Sequence, residues 1–180
     1  MSYITTHSKI KFTPTNPQID AIKIEDMAHA LSFLCRANGH FKSFFSVAQH
    51  SINCALEAEA RGCSKKVQLA CLLHDGSEAY LSDVTRPVKR YLSNYLAIEI
   101  RLQDMIYEKY LGEPLSKEEQ TKVDEIDNAM LYYEFLELLD ETILPQKPEI
   151  MSIPSFETKD FKVVENQFIN LFKRLNGESI

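Results

Sequence analysis

Apolar residues recur at intervals of three and four along most of this sequence, with only five glycines and seven prolines to interrupt them. That interval places them on one face of a helix, so each uninterrupted stretch must bury a stripe against a neighbouring helix. The pattern predicts a first helix from near Ile24 through "EDMAHALSFLCR", with acids in its first turn where the dipole favours them, ending at Asn38 and Gly39 as a left-handed cap. A second is expected over about 46–61, stopping at Gly62. Ser64 caps a third, "KKVQLACLLHDGSEAYL", whose first half is the most apolar helical segment and the expected centre of the core, with Pro87 marking the turn after it. Helices around 94–110 and 116–139 follow, the latter opened by Ser116 with Glu118 and Glu119 close behind, and a last one occupies roughly 158–175 after the Pro145 to Pro154 loop. Residues 1–20, with Pro14 and Pro17, read as an extended arm carrying a short strand pair around "YITTHSKIKF". No repeat, low-complexity stretch or linker divides the chain, so the expectation is an all-α helical bundle forming one domain over 1–180.

The net charge of −6 and a pI near 5.4 argue against duplex nucleic acid as partner, because such binding requires clustered Lys and Arg to displace counterions from phosphates. A small anionic ligand needs only local positive charge. The N-terminus has no apolar run of signal-peptide length, and nowhere do about 18 apolar residues run uninterrupted, so no membrane partner is expected and the expected location is the cytoplasm. Cys35, Cys54, Cys63 and Cys71 form no CxxC pair and read as reduced, mostly core thiols.

Against this apolar background "LLHDGSEAYLSD", residues 72–83, places an imidazole and three carboxylates directly after the most buried run of the chain. An unpartnered buried carboxylate costs several kcal/mol, so these groups imply something to bind. His50, His74, Asp75 and Asp127 fall on three separate predicted helices and together make a mixed nitrogen and oxygen set suited to a divalent transition metal. Such a set leaves room for water and a phosphate oxygen, and hydrolysis is the chemistry it favours.

"SVAQHS", "LLHDGSEAYLSDVTRPVK" and "DEIDNAMLYYE" resemble the successive His, His-Asp and Asp motifs of the HD-domain metal-dependent phosphohydrolases. The run from His74 to Lys89 is similar to the bacterial 5′-deoxynucleotidases of that superfamily, and "ALSFLCRANGHFKSFFSVAQHS" resembles phage-associated HD hydrolases in its Arg36 and Gly39-His40 placements. The likeness covers roughly residues 24–134. It implies an HD-type bundle holding one divalent ion (Mn, Co, Fe, Zn, Ni or Mg) on His50, His74, Asp75 and Asp127, with Asp124 as a rival for the last place. It further implies Glu78 and Asp83 as catalytic carboxylates, and Arg36 and His40 as contacts to a small phosphorylated metabolite. A nucleoside or deoxynucleoside 5′-monophosphate is the leading substrate class, with nucleoside triphosphates, alarmones, or a catalytically silent nucleotide-sensing module as alternatives. No histidine follows His74, which disfavours the two-metal HD phosphodiesterases with their extra downstream His ligands.

Other features have plainer readings. His7 and His29 read as structural or exposed. Phe41, Phe44 and Phe45 suit core packing first and a nucleobase wall second. "YYEFLELLDE" could form a homodimer surface, although an amphipathic stripe is ordinarily core.

Overall fold

The computed structural model describes residues 2–178. An N-terminal arm pairs β1 (Ile4–Thr5) with β2 (Lys11–Phe12) antiparallel, Ile4 opposite Phe12, as the sequence predicts. The remainder is all-α. Helix α1 spans Ile24–Phe33, α2 Val47–Ala60 and α3 Lys65–Leu73; the short α4 (Glu78–Leu81) and α5 (Arg86–Lys89) lead to α6 (Ser93–Leu111), α7 (Lys117–Leu139) and α8 (Phe161–Asn176).

Local chemistry sets several boundaries. Ser46 and Gln49 close a reciprocal capping box at the start of α2, and Ser116 and Glu119 do the same for α7. Helix α1 stops earlier than the sequence predicts, at Phe33. There the backbone of Leu34 turns extended and accepts from the Val47 amide, while the Arg36 amide donates to the Phe45 carbonyl. Ala37, Asn38 and Gly39 then follow with φ of 51°, 50° and 76°, so the expected left-handed Gly39 belongs to a separate tight turn. This clip brings Arg36 inward, where it is buried.

The expected single helix over 65–81 is broken. After Leu73 the chain makes a turn through His74, Asp75, Gly76 and Ser77, and Glu78 opens α4 instead of lying one turn further along the same helix. The side chain of Gln103 on α6 satisfies the backbone groups freed at the break, accepting from the Ser77 amide and donating to the Leu73 carbonyl. Gly76 is required there, because a β-carbon would stand 2.9 Å from the Leu73 carbonyl oxygen and 3.2 Å from Ile106 Cδ1. Pro87, expected at a turn, lies in the first turn of α5, a place where its missing N–H costs no helical bond.

One contiguous buried cluster gathers Met27 and Leu31 of α1, Cys54 and Ala58 of α2, Leu69 to Leu73 of α3, Leu102 and Ile106 of α6, Ile126 and Met130 of α7, and Phe168 and Phe172 of α8. Helix α3 is at its centre, flanked by α2, α6, α7 and α8. A smaller cluster of Phe41, Phe45 and Leu138 fills the space under the Arg36 loop, with Phe44 outside it and exposed. Tyr132, Glu134 and Leu138 are buried, so the inner face of "YYEFLELLDE" is core. Among the described residues no helix is long and apolar enough to cross a membrane.

Candidate metal centre

His50 projects from α2, His74 and Asp75 from the break after α3, and Asp127 from the middle of α7. Their donor atoms converge. His50 Nε2 lies 3.1 Å from His74 Nε2 and 3.1 Å from Asp127 Oδ1, and 3.8 Å from Asp75 Oδ2. His74 Nε2 lies 3.4 Å from Asp75 Oδ2 and 3.7 Å from Asp127 Oδ1. Atoms bound about 2.0–2.2 Å from a shared transition-metal ion stand roughly 3.0 Å apart at right angles and roughly 3.4 Å apart at the tetrahedral angle. The two pairs at 3.1 Å and the pair at 3.4 Å match these values, and the pairs at 3.7 and 3.8 Å are somewhat wider.

Both imidazoles are oriented through their other nitrogen. His74 Nδ1 donates to the Cys71 carbonyl at 2.8 Å, and since a carbonyl only accepts, the Nε2 lone pair is left facing the cluster. His50 Nδ1 donates to Glu134 Oε1 at 2.5 Å, a carboxylate wholly inside the protein. Glu134 also accepts from Arg36 Nε and Nη2 at 3.3 Å, and Arg36 Nη1 reaches Asp75 Oδ2 at 3.3 Å. Burial by itself would raise the Glu134 carboxyl, but His50 and Arg36 at its oxygens hold it below the ordinary range.

The electrostatics ask for a cation. Burial disfavours charge on His74, yet Asp75 and Asp127 push its pKa above the ordinary imidazole value, and His50 is driven upward by Cys54, Glu134 and Asp127 against burial and Arg36. Two Nε2 atoms facing each other at 3.1 Å, with both Nδ1 atoms already donating, share either a proton or a metal ion.

Cys54, one turn after His50, adds a thiol; His50, Cys54 and His74 each bring a ligand atom within 4.8 Å of the others, a buried group that could hold a metal ion. The thiol stands 3.5 Å from His50 Nε2 and 4.0 Å from Nδ1, so it lies beside the ring and not in line with the Nε2 lone pair. Burial pushes it up to about 11, which keeps it neutral. Asp127 Oδ1, at 3.1 Å from the same His50 Nε2, belongs to a residue that lines the adjoining cavities, whereas the thiol lies in the buried core.

The remaining sequence-predicted residues fall in different places. Glu78, buried at the start of α4, leaves Oε2 with no hydrogen-bond partner, and Oε1 lies 3.6 Å from Lys89 Nζ. Burial, with Asp75 and Asp83 nearby, raises its pKa well above the ordinary value. Glu78, Asp83 and Arg36 line one cavity together with Asp75 and Asp127. Asp124 is exposed and accepts from Gln120, leaving Asp127 as the α7 carboxylate beside the histidines. His40 is exposed at the end of its turn and lines neither of the cavities that meet the cluster. His29 Nδ1 donates to Glu165 Oε2 at 3.0 Å, and its ring stacks on His7, clear of the cluster.

Sequence reasoning gave no role to Glu134, Arg86 and Lys89, although all three lie in the quoted motifs, nor to Cys54. Helical spacing carried a signal for two of them: Glu134 is seven residues, two turns, after Asp127, and Cys54 is four after His50. Arg86 Nη2 on α5 reaches Asp127 Oδ2 on α7 at 2.5 Å, across forty-one residues of chain.

No protein-family model matches the chain. It is 37% identical over 110 residues to YfdR, an uncharacterized protein of Escherichia coli (strain K12), a match covering 61% of this chain and 59% of that protein. It is also 37% identical over 94 residues to an uncharacterized protein of Rhodobacter capsulatus, covering 49% of this chain and 48% of the relative. The chain thus spans between 48% and 59% of the length of these curated relatives.

Proposed function

We propose that this protein is a metal-dependent phosphohydrolase that removes phosphate from a small nucleotide, with nucleoside or deoxynucleoside 5′-monophosphates as the substrate class. The observation that carries the reading is the convergence of two imidazole Nε2 atoms on Asp75 and Asp127, two carboxylates that also line a cavity with Glu78, whose buried Oε2 has no hydrogen-bond partner.

His50, His74, Asp75 and Asp127 would hold the ion, which when bound supplies Lewis acidity toward water and a phosphoryl oxygen. Glu134 fixes the His50 ring, and Arg36 ties Glu134 to Asp75, so the donors from α2, α7 and the α3 break are set in place before substrate arrives. Glu78 Oε2 accepts the proton of the attacking water; its raised pKa brings it toward the range in which a carboxylate is an effective general base. Asp83, raised by burial, donates a proton to the leaving oxygen. Lys89 and Arg36 offset the charge of a phosphate brought beside these acids.

Phosphate release should be measured from a panel of nucleoside mono- and triphosphates with Mn2+, Co2+ or Mg2+, and again with excess chelator. Release that requires metal and is greatest for monophosphates is expected. Absence of release from every nucleotide with every metal would overturn the reading. Co2+ loading tests the donor set: a thiolate charge-transfer band would move the ion to the Cys54 side.

A further inference from the structure

Two cavities meet at the donor cluster, of about 790 and 390 Å3, and both are lined by Asp75, Lys89 and Asp127. Their characters are opposite. The larger, between α6 and α7, takes in His74 of the donor cluster and adds Glu99, Asp104, Glu108, Glu113 and Asp124. Glu99 and Glu113 are ion-paired, to Lys89 and Lys66, whereas Asp104, Glu108 and Asp124 form no ion pair among the described residues. A phosphate entering this way meets a field of its own sign.

The smaller cavity is amphipathic. One end holds Glu78, Asp83 and the cations Arg36, Arg86 and Lys89; the other is walled by Phe41, Leu131, Phe135 and Ile143. Phe41 meets Phe135 edge-on at 5.3 Å, which leaves ring surface for a flat apolar group. Arg86 donates to Asp127 Oδ2 and Asn128 Oδ1 with its side chain 60% exposed, which leaves guanidinium N–H groups beyond those two bonds for an arriving anion. A volume of about 390 Å3 falls within the span of pockets that enclose small ligands.

We propose that the smaller cavity is the nucleotide site, with the nucleobase seated against Phe41, Phe135 and Ile143 and the phosphate turned to Arg36, Arg86 and Lys89, while the larger acidic cavity excludes the anionic substrate. The identity of the ligand rests on the proposed function; the choice between cavities rests on their linings. Ile143 comes from the segment after α7, so a part of the chain outside the recognisable motifs supplies specificity.

The chain contains no tryptophan, so one introduced indole reports on one cavity. Ile143 (36% exposed) lines the small cavity and Ile100 (60% exposed) the large one, and both are open enough to accept a larger ring. Ile143→Trp and Ile100→Trp, each combined with Glu78→Gln to slow turnover and loaded with Mn2+, would be titrated with deoxyguanosine 5′-monophosphate and with ribose 5-phosphate. Saturable quenching of the Ile143→Trp protein by the nucleotide but not by the sugar phosphate, with no change in the Ile100→Trp protein, is the expected result. Quenching in the Ile100→Trp protein alone, or in neither, overturns the assignment. Phosphate release by the unsubstituted protein separately decides the catalytic reading. Phe135→Ala should weaken nucleotide affinity roughly tenfold while leaving ribose 5-phosphate unchanged, the size expected for one lost base stack; equal loss for both ligands would also count against the base seat.

Discussion

Glu78 and Glu134 are both buried carboxylates near the same histidines, yet their surroundings assign them different work. Glu134 is fully paired, to His50 and Arg36, and its charge is stabilised; Glu78 keeps one oxygen unpaired, and its charge is disfavoured. Replacing Glu134 with Gln removes the charge that His50 and Arg36 share and turns an NH2 toward one of those two donors, and metal affinity should fall roughly 10- to 100-fold in a competitive chelator titration. Glu78→Gln keeps the shape of the side chain and should leave metal content unchanged. Its expected effect is a turnover loss of at least about 100-fold, or ~2.7 kcal/mol of transition-state stabilisation, measured as single-turnover phosphate release. A Glu78→Gln protein that hydrolyses its best substrate at the parental rate would make Glu78 a structural acid.

At the scale of elements, the break between α3 and α4 decides what the His74-Asp75 pair can reach. On a continuous helix the two side chains would diverge by about 100°. The turn instead lets both face one cluster, and it is held by Gln103 from α6 and by the close approach that Gly76 permits. A β-carbon at Gly76 would press on the Leu73 carbonyl, Ile106 and Met27, so Gly76→Ala should destabilise the fold by about 1–3 kcal/mol in urea unfolding and reduce metal affinity in parallel. Unchanged stability with unchanged metal binding would show that the turn relaxes freely.

For the whole molecule, the segment after α7 closes the structure as well as walling a cavity. Glu57 of α2 accepts from the Met151 and Ser152 amides, the Ser152 hydroxyl and Arg61 Nε, and so ties residues 151–152 to the bundle before α8 packs on α1, α2 and α3. Burial would raise the Glu57 carboxyl, but hydrogen bonds from Ser152 and Arg61 prevail and hold it below its ordinary value. The folded state therefore binds its proton less readily than the unfolded chain. This contribution is present above the unfolded pKa and is lost as pH falls through the folded one. Melting temperatures followed downward from neutral pH should drop less steeply for Glu57→Gln than for the parent as pH falls through about 4.5, where the unfolded carboxyl is half protonated. Identical slopes would mean that the tie carries no pH-dependent stability.

The all-α class, the strand pair of the arm and most helix positions were legible in the sequence, because apolar periodicity and caps such as Ser46 and Ser116 act over a few residues. The donors His50, His74, Asp75 and Asp127 could be picked out as residue types, but their convergence could not, since it depends on α2, α3 and α7 meeting. The early end of α1 and the break after Leu73 were hidden for the same reason. Leu34 gives up its helical continuation for a bridge to Val47, thirteen residues on, and the backbone groups at Leu73 and Ser77 are satisfied by a side chain from α6. Arg36 shows the division within one residue. Its charge was readable from the sequence, whereas its burial against Glu134, ninety-eight residues away, exists only once the bundle has closed, because a guanidinium tolerates that environment only with both carboxylates already in place.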